Sequence, residues 1–339
     1  MAVYGLLRPL LFGLHPETAH GLSLWAAGFA GRFGATRALV RSLFGPSATE
    51  PVEAMGLTFP NRIGLAAGYD KDGRAWRGLA AMGFGHVEVG TITPRPQPGN
   101  PQPRVFRLPE DRSLINRLGF PGEGADVVAA RLGLDRPYNV VLGANLGKNK
   151  DTPNERALED YISLTHAFAG LADYLVVNVS SPNTVGLRNL QARDALRELL
   201  EATLIARDEA HENGAPRRPL LVKLSPDLDD AQLDDALDVA TGLALDGVIA
   251  TNTTIARPSL QSPKGGEKGG LSGAALRDAA TDVVAKIHRR TEGQLPIIGV
   301  GGIAEPDDVR AKLDAGATLV QLYTGLIYKG PSIVRQLMR

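Results

Sequence analysis

Between Tyr174 and Arg188 the chain changes character. Tyr174, Leu175, Val176 and Val177 form a short strand-forming run, entered after Asp173. Asn178, Ser180, Ser181, Pro182, Asn183 and Thr184 follow at once. A strand exit needs one or two turn residues. This one supplies two amides, three hydroxyls and a stiffening proline. Amides both donate and accept, which suits a planar ligand that alternates C=O and N–H groups. A serine beside them could move a proton. Read locally, the same residues make a Ser/Asn/Pro turn, so the rest of the chain must decide.

The totals remove several chemistries. The 339 residues are 43% hydrophobic and 22% charged, as expected of a globular core, and their length allows one large barrel or two ordinary domains. Lys and Arg number 37 and Asp and Glu number 37, so no basic excess points to nucleic acid. There is no cysteine, hence no disulfide, thiolate nucleophile or Cys-ligated metal. The six histidines form no H-E-x-x-H zinc site, and no metal is expected. The sequons at Asn178 and Asn252 fall at expected strand ends and read as coincidence. No stretch approaches the ~20 apolar residues of a membrane span. Gly21–Gly31 could be the apolar part of a signal peptide, but Arg8 and Pro9 interrupt the run before it and no A-x-A site follows.

The elements that position this chemistry follow from periodicity. Val3, Leu6, Leu7, Leu10, Leu11 and Leu14 share one helical face, with Pro9 kinking or starting the helix. His15-Pro16 breaks the run, and Leu22, Trp25, Ala26, Phe29 and Phe33 make a second stripe. Arg8, Arg32, Arg37 and Arg41 outweigh Glu17 here. Two such helices either pack on the main domain or lie on a membrane surface. Phe44-Gly45-Pro46-Ser47 is the expected boundary between residues 1–45 and 46–339. From residue 52 short apolar runs alternate with helical patterns. Strands are expected near Ile63–Ala66, Val87–Val89, Val140–Ala144, Leu175–Val179, Leu220–Leu224, Gly247–Ala250, Ile297–Val300 and Leu319–Leu322. Helices are expected over Ala75–Met82, Asp160–Leu171, Asp194–Ala210, Asp230–Leu243, Gly273–Arg290 and Glu305–Ala315. Eight such units make an α/β fold, a (β/α)8 TIM barrel. The runner-up is a doubly wound open sheet, which normally carries G-x-G-x-x-G after its first strand.

In such a barrel the strands' C-terminal ends form the site. Small, amide, hydroxyl or cationic residues stand there, with Asp70 the only acid nearby. Gly265-Gly266, Gly269-Gly270, Gly273 and Gly301-Gly302 follow the late strands, where barrels bind phosphate on bare backbone N–H groups. Lys223 interrupts an apolar strand and needs a partner: either an acid not evident from sequence, or a flavin whose reduced ring is anionic. FMN fits this rim better than pyridoxal phosphate, which needs a carboxylate or similar partner at its ring nitrogen. The loop has no His for a Ser–His hydrolase pair.

The chain resembles the class 2, quinone-dependent dihydroorotate dehydrogenases over essentially its whole length. The segments that carry this are HPETAH (15–20), MGLTFPNRIGLAAGYDKDG (55–73), GFGHVEVGTITPRPQPGNPQPRVFRL (83–108), INRLGF (115–120), NLGKNKDT (145–152), NVSSPNTVGLR (178–188), VKLSPDL (222–228), DGVIATNTT (246–254), GGLSG (269–273), IIGVGGI (297–303) and QLYTG (321–325). Tyr69 departs from the leucine common there. The resemblance implies oxidation of dihydroorotate to orotate with one FMN per chain and electrons passed to a membrane quinone. Ser181 matches the base, with Thr184 and a water as its proton route. FMN contacts would come from Ala67, Gly68, Tyr69, Asp70, Lys71, Thr91, Asn145, Asn178, Lys223, Thr251, Gly273, Gly302, Tyr323 and Thr324. Substrate contacts would come from Lys71, Asn116, Arg117, Leu118, Gly119, Phe120, Asn178, Asn183, Asn252 and Thr253. His20, Arg107 and Tyr323 match positions near the quinone head. Residues 1–45 would contact the membrane and line a quinone tunnel, making the protein peripheral on the cytoplasmic face of the cell membrane. A class 1 enzyme with a soluble acceptor, or a silent FMN-binding barrel, are the alternatives.

Overall fold

Eight short apolar segments pair side by side in chain order and close on themselves. In the computed structural model, which describes residues 2–137 and 139–339, these barrel strands are β1 (Ile63–Leu65), β2 (His86–Ile92), β3 (Val141–Leu146), β4 (Tyr174–Asn178), β5 (Leu220–Leu224), β6 (Gly247–Ala250), β7 (Ile297–Val300) and β8 (Leu319–Leu322). Each pairs in parallel with its chain neighbours, and β8 returns to β1. The closed barrel and its surrounding helices are the TIM architecture expected from sequence.

Strand alternation sorts the side chains into two layers. Leu175, Val177, Leu220, Val222 and Leu224 face outward into the large core beneath the helices. Val141, Tyr174, Val176, Leu221, Ile249, Ile298 and Leu319 face inward. By the same alternation Asn178 and Lys223, register partners across β4 and β5, point inward and toward one end. An antiparallel hairpin, Val52–Ala54 with Leu57–Phe59, lies outside the expected elements. Its Phe59 joins the inner layer, meeting His86 edge to face, and so closes the N-terminal end of the barrel.

The outer helices fall where periodicity puts them, with shifted ends. Asp230–Gly242 carries a capping box from Asp229 and Gln232. Arg277–Arg290 starts later than expected, because Gly273 ends a strand, Gly270–Gly273, and Ala274–Leu276 forms a 3-10 turn. That strand joins Ser113–Asn116 and Val105–Leu108 in a small antiparallel sheet over the mouth of the barrel.

The N-terminal region holds three helices where two were expected: α1 (Ala2–Gly13), α2 (Pro16–Gly31) and α3 (Gly34–Phe44). Pro9 lies inside α1 and does not start it. The side chain of Val3 lies outside the described residues. Most residues of the two stripes do not pack inward. Leu6, Leu10, Leu22, Trp25, Phe29 and Phe33 are exposed, whereas α2 buries its small residues Ala19, Ala27 and Gly31. That small face docks on α4 (Trp76–Ala81). A Cβ on Gly31 would stand 2.5 Å from the Gly78 nitrogen, so the two backbones nearly touch. Among the described residues no helix is long and apolar enough to cross a membrane.

Candidate active site

The open end of the barrel holds a cavity whose floor is made of amides and hydroxyls. Asn178 Nδ2 donates to Thr91 Oγ1 at 2.8 Å and to Asn145 Oδ1 at 3.0 Å. Thr91 Oγ1 donates to Asn145 Oδ1 at 2.6 Å. Asn252 Nδ2 reaches Ser180 Oγ at 2.9 Å and Asn178 Oδ1 at 3.4 Å. Lys223, Thr251, Asn252, Thr253, Ala67 and Gly68 line the same space.

Ser181 lines it from the loop after β4. Its hydroxyl accepts from the Asn183 backbone N–H at 3.2 Å. Arg188 holds this loop in place. Its Nε donates to Ser180 O at 3.0 Å, Nη2 to Thr253 O at 3.0 Å and Nη1 to Asp227 at 2.7 Å. Thr184 Oγ1, also in the loop, is buried without a protein hydrogen-bond partner. Facing Ser181 across the mouth are Asn116, Leu118, Gly119 and Phe120, with Asn183 Nδ2 donating to Asn116 Oδ1 at 3.2 Å. Lys71 Nζ donates to Gly68 O at 2.7 Å. Burial brings the Lys71 ammonium down to about 8, against the opposing pull of Asp72.

At the far side the cavity wall is backbone. Gly273 and Gly302 have φ of +96° and +79°. A Cβ on Gly302 would meet Arg277 at 2.3 Å, and one on Gly273 would meet Ser113 Cα at 2.7 Å. These positions therefore stay bare, the form in which a backbone cradles phosphate. Ser272 and Thr324 share a hydroxyl hydrogen bond of 2.9 Å beside them. Ser272 and Arg277 also line this wall and were not singled out from sequence. Ser272 lies within the GGLSG segment, where a hydroxyl among glycines is the available signal.

The side chains of three of the anticipated contact residues turn elsewhere. Asp70 holds the turn that leads into α4, accepting from Arg74 N at 2.9 Å and Ala75 N at 2.7 Å. Arg117 pairs with Glu267 at 2.7 Å over the Phe106 ring. Tyr69 faces a second cavity, its hydroxyl 3.3 Å from Ser23 Oγ. Nor is Asp70 the only acid at this end. Glu88, on β2, is fully buried with its carboxylate 3.6 Å from Lys223 Nζ. The partner that Lys223 demanded was in the sequence, between two valines of an apolar strand. Only the inward register of β2 and β5 brings the two together.

The second cavity, about 670 Å³, lies between the N-terminal helices and the barrel mouth. Lys71, Leu118 and Tyr323 line both cavities and form the wall between them. His20, Tyr69 and Tyr323 run toward that wall edge to face, with ring centroids 5.0 and 5.6 Å apart. Burial, aided by the Lys71 charge, pulls His20 down to about 3, so its imidazole is neutral at physiological pH. Arg107 donates to the backbone carbonyls of Phe12 and Leu14 at 3.1 and 2.9 Å, and Arg104 pairs with Glu17 at 2.9 Å. These cations latch the helices over the cavity.

The comparisons with known proteins agree on one family. The family model described as dihydroorotate dehydrogenase matches residues 51–339. A protein of Acidithiobacillus ferrooxidans, "Dihydroorotate dehydrogenase (quinone)", is 52% identical over 99% of this chain and 93% of its own. A protein of the same name from Aromatoleum aromaticum is 50% identical over 99% of this chain and 94% of its own. Among solved structures, the dihydroorotate dehydrogenase of Eimeria tenella in complex with ferulenol is 40% identical, with a TM-score of 0.88 over 97% of this chain and 92% of that one.

Proposed function

The chain belongs to the dihydroorotate dehydrogenase family, and from that premise we propose how its residues divide the reaction. It is a flavin-dependent dihydroorotate:quinone oxidoreductase, with dihydroorotate as substrate and a quinone as electron acceptor. We take the flavin to be FMN. The bare glycine wall beside Ser272 and Thr324 suits its single phosphate. The amide and hydroxyl floor with Lys223 suits the polar edge of its ring. When bound, FMN would accept a hydride from the substrate and pass the electrons on to quinone.

The remaining chemistry falls to the protein. Lys71 pairs with the substrate carboxylate, and Asn116, Asn183 and Asn252 present amides to the ring. Ser181 Oγ takes the proton from the carbon next to the one that loses the hydride. A hydroxyl is a weak base, so the proton needs an exit. Thr184, buried in the same loop, provides it in this reading. Lys223 carries positive charge to the edge of the flavin ring that becomes anionic. His20, Arg107 and Tyr323 meet the quinone in the second cavity. Residues 1–45 form its roof and rest on the cytoplasmic face of the cell membrane, with 46–339 as the catalytic barrel.

The convergence of Ser181, Lys71, Lys223 and the amides on one cavity carries the reading. It is tested by anaerobic spectroscopy. Dihydroorotate should bleach the visible flavin band, a quinone should restore it, and the released cofactor should have the mass of FMN. A yellow protein that dihydroorotate leaves unbleached sinks the assignment.

A further inference from the structure

The reaction as proposed uses Lys223 but gives Glu88 no task, and a fully buried carboxylate requires one. Glu88 stands one inward step below Gly90 and Thr91 on β2. Its Oε1 accepts from Asn145 Nδ2 at 2.8 Å and lies 3.6 Å from Lys223 Nζ. Its Oε2 accepts from Gln321 Nε2 at 2.8 Å and from the Tyr174 hydroxyl at 3.3 Å. Strands β3, β4, β5 and β8 thus converge on one acid of β2. Lys223 supplies the positive charge in that set, with its own side chain only 5% exposed.

Two consequences follow from the carboxylate's chemistry. First, it can only accept hydrogen bonds. Asn145 must therefore turn Nδ2 toward Glu88 and Oδ1 toward the cavity. There Oδ1 receives Thr91 Oγ1 and Asn178 Nδ2. Asn178 is left with Oδ1 toward Asn252 and Ser180. The direction of the whole amide chain is set from below by one negative charge. Second, Glu88 offsets Lys223. The cavity floor carries an ion pair, and the field that reaches a bound ring is weaker than that of a bare buried cation.

We propose that Glu88 is a positioning residue, which fixes Lys223 and the Asn145–Asn178 amides and through Lys223 sets the reduction potential of the bound flavin. The proposal rests on the FMN reading above. Glu88→Gln keeps the shape and removes the charge. Lys223 then stands unopposed and favours the anionic reduced ring. The equilibrium of two-electron reduction should shift toward reduced flavin roughly tenfold, about 30 mV for a two-electron couple.

The experiment compares wild type, Glu88→Gln, Lys223→Met and the double variant. FMN content is measured by released cofactor, and potential by anaerobic equilibration with redox dyes. Lys223→Met alone leaves a buried anion below the ring and should lose most FMN. Adding Glu88→Gln should restore much of that FMN, which a residue that merely fills space would not do. An unchanged or lowered potential in FMN-loaded Glu88→Gln overturns the proposal. If Glu88→Gln does not fold, the double variant decides, since its core pair is neutral: no recovery of FMN over Lys223→Met overturns the proposal equally. Wild type that carries no FMN overturns the cofactor reading itself, and this inference with it. Wild type that carries FMN beside variants without a shift overturns only the role of Glu88.

Discussion

Ser181 is a hydroxyl asked to act as a base, and two residue-scale predictions turn on that and on the cation across from it. Ser181→Ala removes the acceptor without disturbing the Arg188 latch, which grips the Ser180 carbonyl and not the serine side chain. FMN and orotate binding should survive, while flavin reduction by dihydroorotate should slow by roughly two orders of magnitude or more. Stopped-flow reduction checks this, and near-normal reduction removes Ser181 from the role. The second prediction concerns pH. Lys71 in the folded protein gives up its proton at about 8, against 10.5 ordinarily, chiefly because it is buried. It is cationic below that pH and neutral above it. Orotate affinity, measured by titration of the oxidised enzyme, should therefore fall as pH rises through about 8. Lys71→Gln should bind weakly at every pH. The sign for stability is opposite. Between about 8 and 10.5 the unfolded chain holds a proton that the folded chain has released, so rising pH relieves this residue's penalty on folding. A flat orotate affinity from pH 7 to pH 9, roughly one unit either side of that value, counts against the Lys71 pairing.

At the scale of elements, most of what positions the site was legible because it depends on local period. All eight barrel strands lie where short apolar runs alternate with helical stripes. Their ends present Asn178, Thr251 and Tyr323 as anticipated. What was not legible depends on where strands lie across from one another. Glu88 is a single acid between two valines of an expected strand, and nothing local tells that Lys223 faces it. Asp70 and Arg117 sit in motif segments near the mouth, yet the first holds the turn before α4 and the second pairs with Glu267. The hairpin at Val52–Phe59 is too short for a strand pattern, whereas α3 was legible and was not read: Leu39, Val40, Leu43 and Phe44 recur at helical spacing, and Arg37 and Arg41 share a separate face. The α2–α4 contact is the element-scale feature most open to test. A Cβ on Gly78 would sit 1.9 Å from the Ala27 carbonyl oxygen. Gly78→Ala must push α2 away from the barrel, at a cost of about 1–3 kcal/mol. Melting temperature and quinone-driven reoxidation should both drop, while reduction by dihydroorotate, remote from α2, should hold. A variant as stable and as fast with quinone as wild type shows that the contact does not set the second cavity.

The whole molecule is divided by what its apolar side chains touch. The barrel buries its own, but α1 to α3 carry large apolar residues outward: Leu6, Leu10 and Trp25 are each more than 70% exposed, and Phe29, Phe33, Leu39 and Leu43 more than 50%. So extended an apolar face on a folded chain marks an interaction surface. Arg32 and Arg41 stand among these residues, which fits an anionic lipid surface, and helices this short can lie on a bilayer without crossing it. Their inner side roofs the 670 Å³ cavity that ends at Tyr323. In the proposed reading one surface would face lipid and the other the route to the flavin, the arrangement a lipid-borne acceptor needs. Deleting residues 1–45 should leave FMN binding and reduction by dihydroorotate largely intact, because both rest on strands that start at Ile63. Oxidation of the reduced flavin by a long-tailed quinone should become inefficient, and binding to anionic vesicles should fall. The deletion also bares α4, whose Gly78 and Leu79 pack beneath α2 in the intact chain, so loss of folding is a competing outcome. Leu22→Glu with Phe29→Glu avoids it, since both side chains are already exposed. That pair should fold and reduce normally, yet release from vesicles and lose quinone turnover when the quinone is presented in the bilayer. Unchanged vesicle binding by the double glutamate variant means the exposed face does not meet lipid. Unchanged quinone oxidation after the deletion means that the helices only cover the barrel.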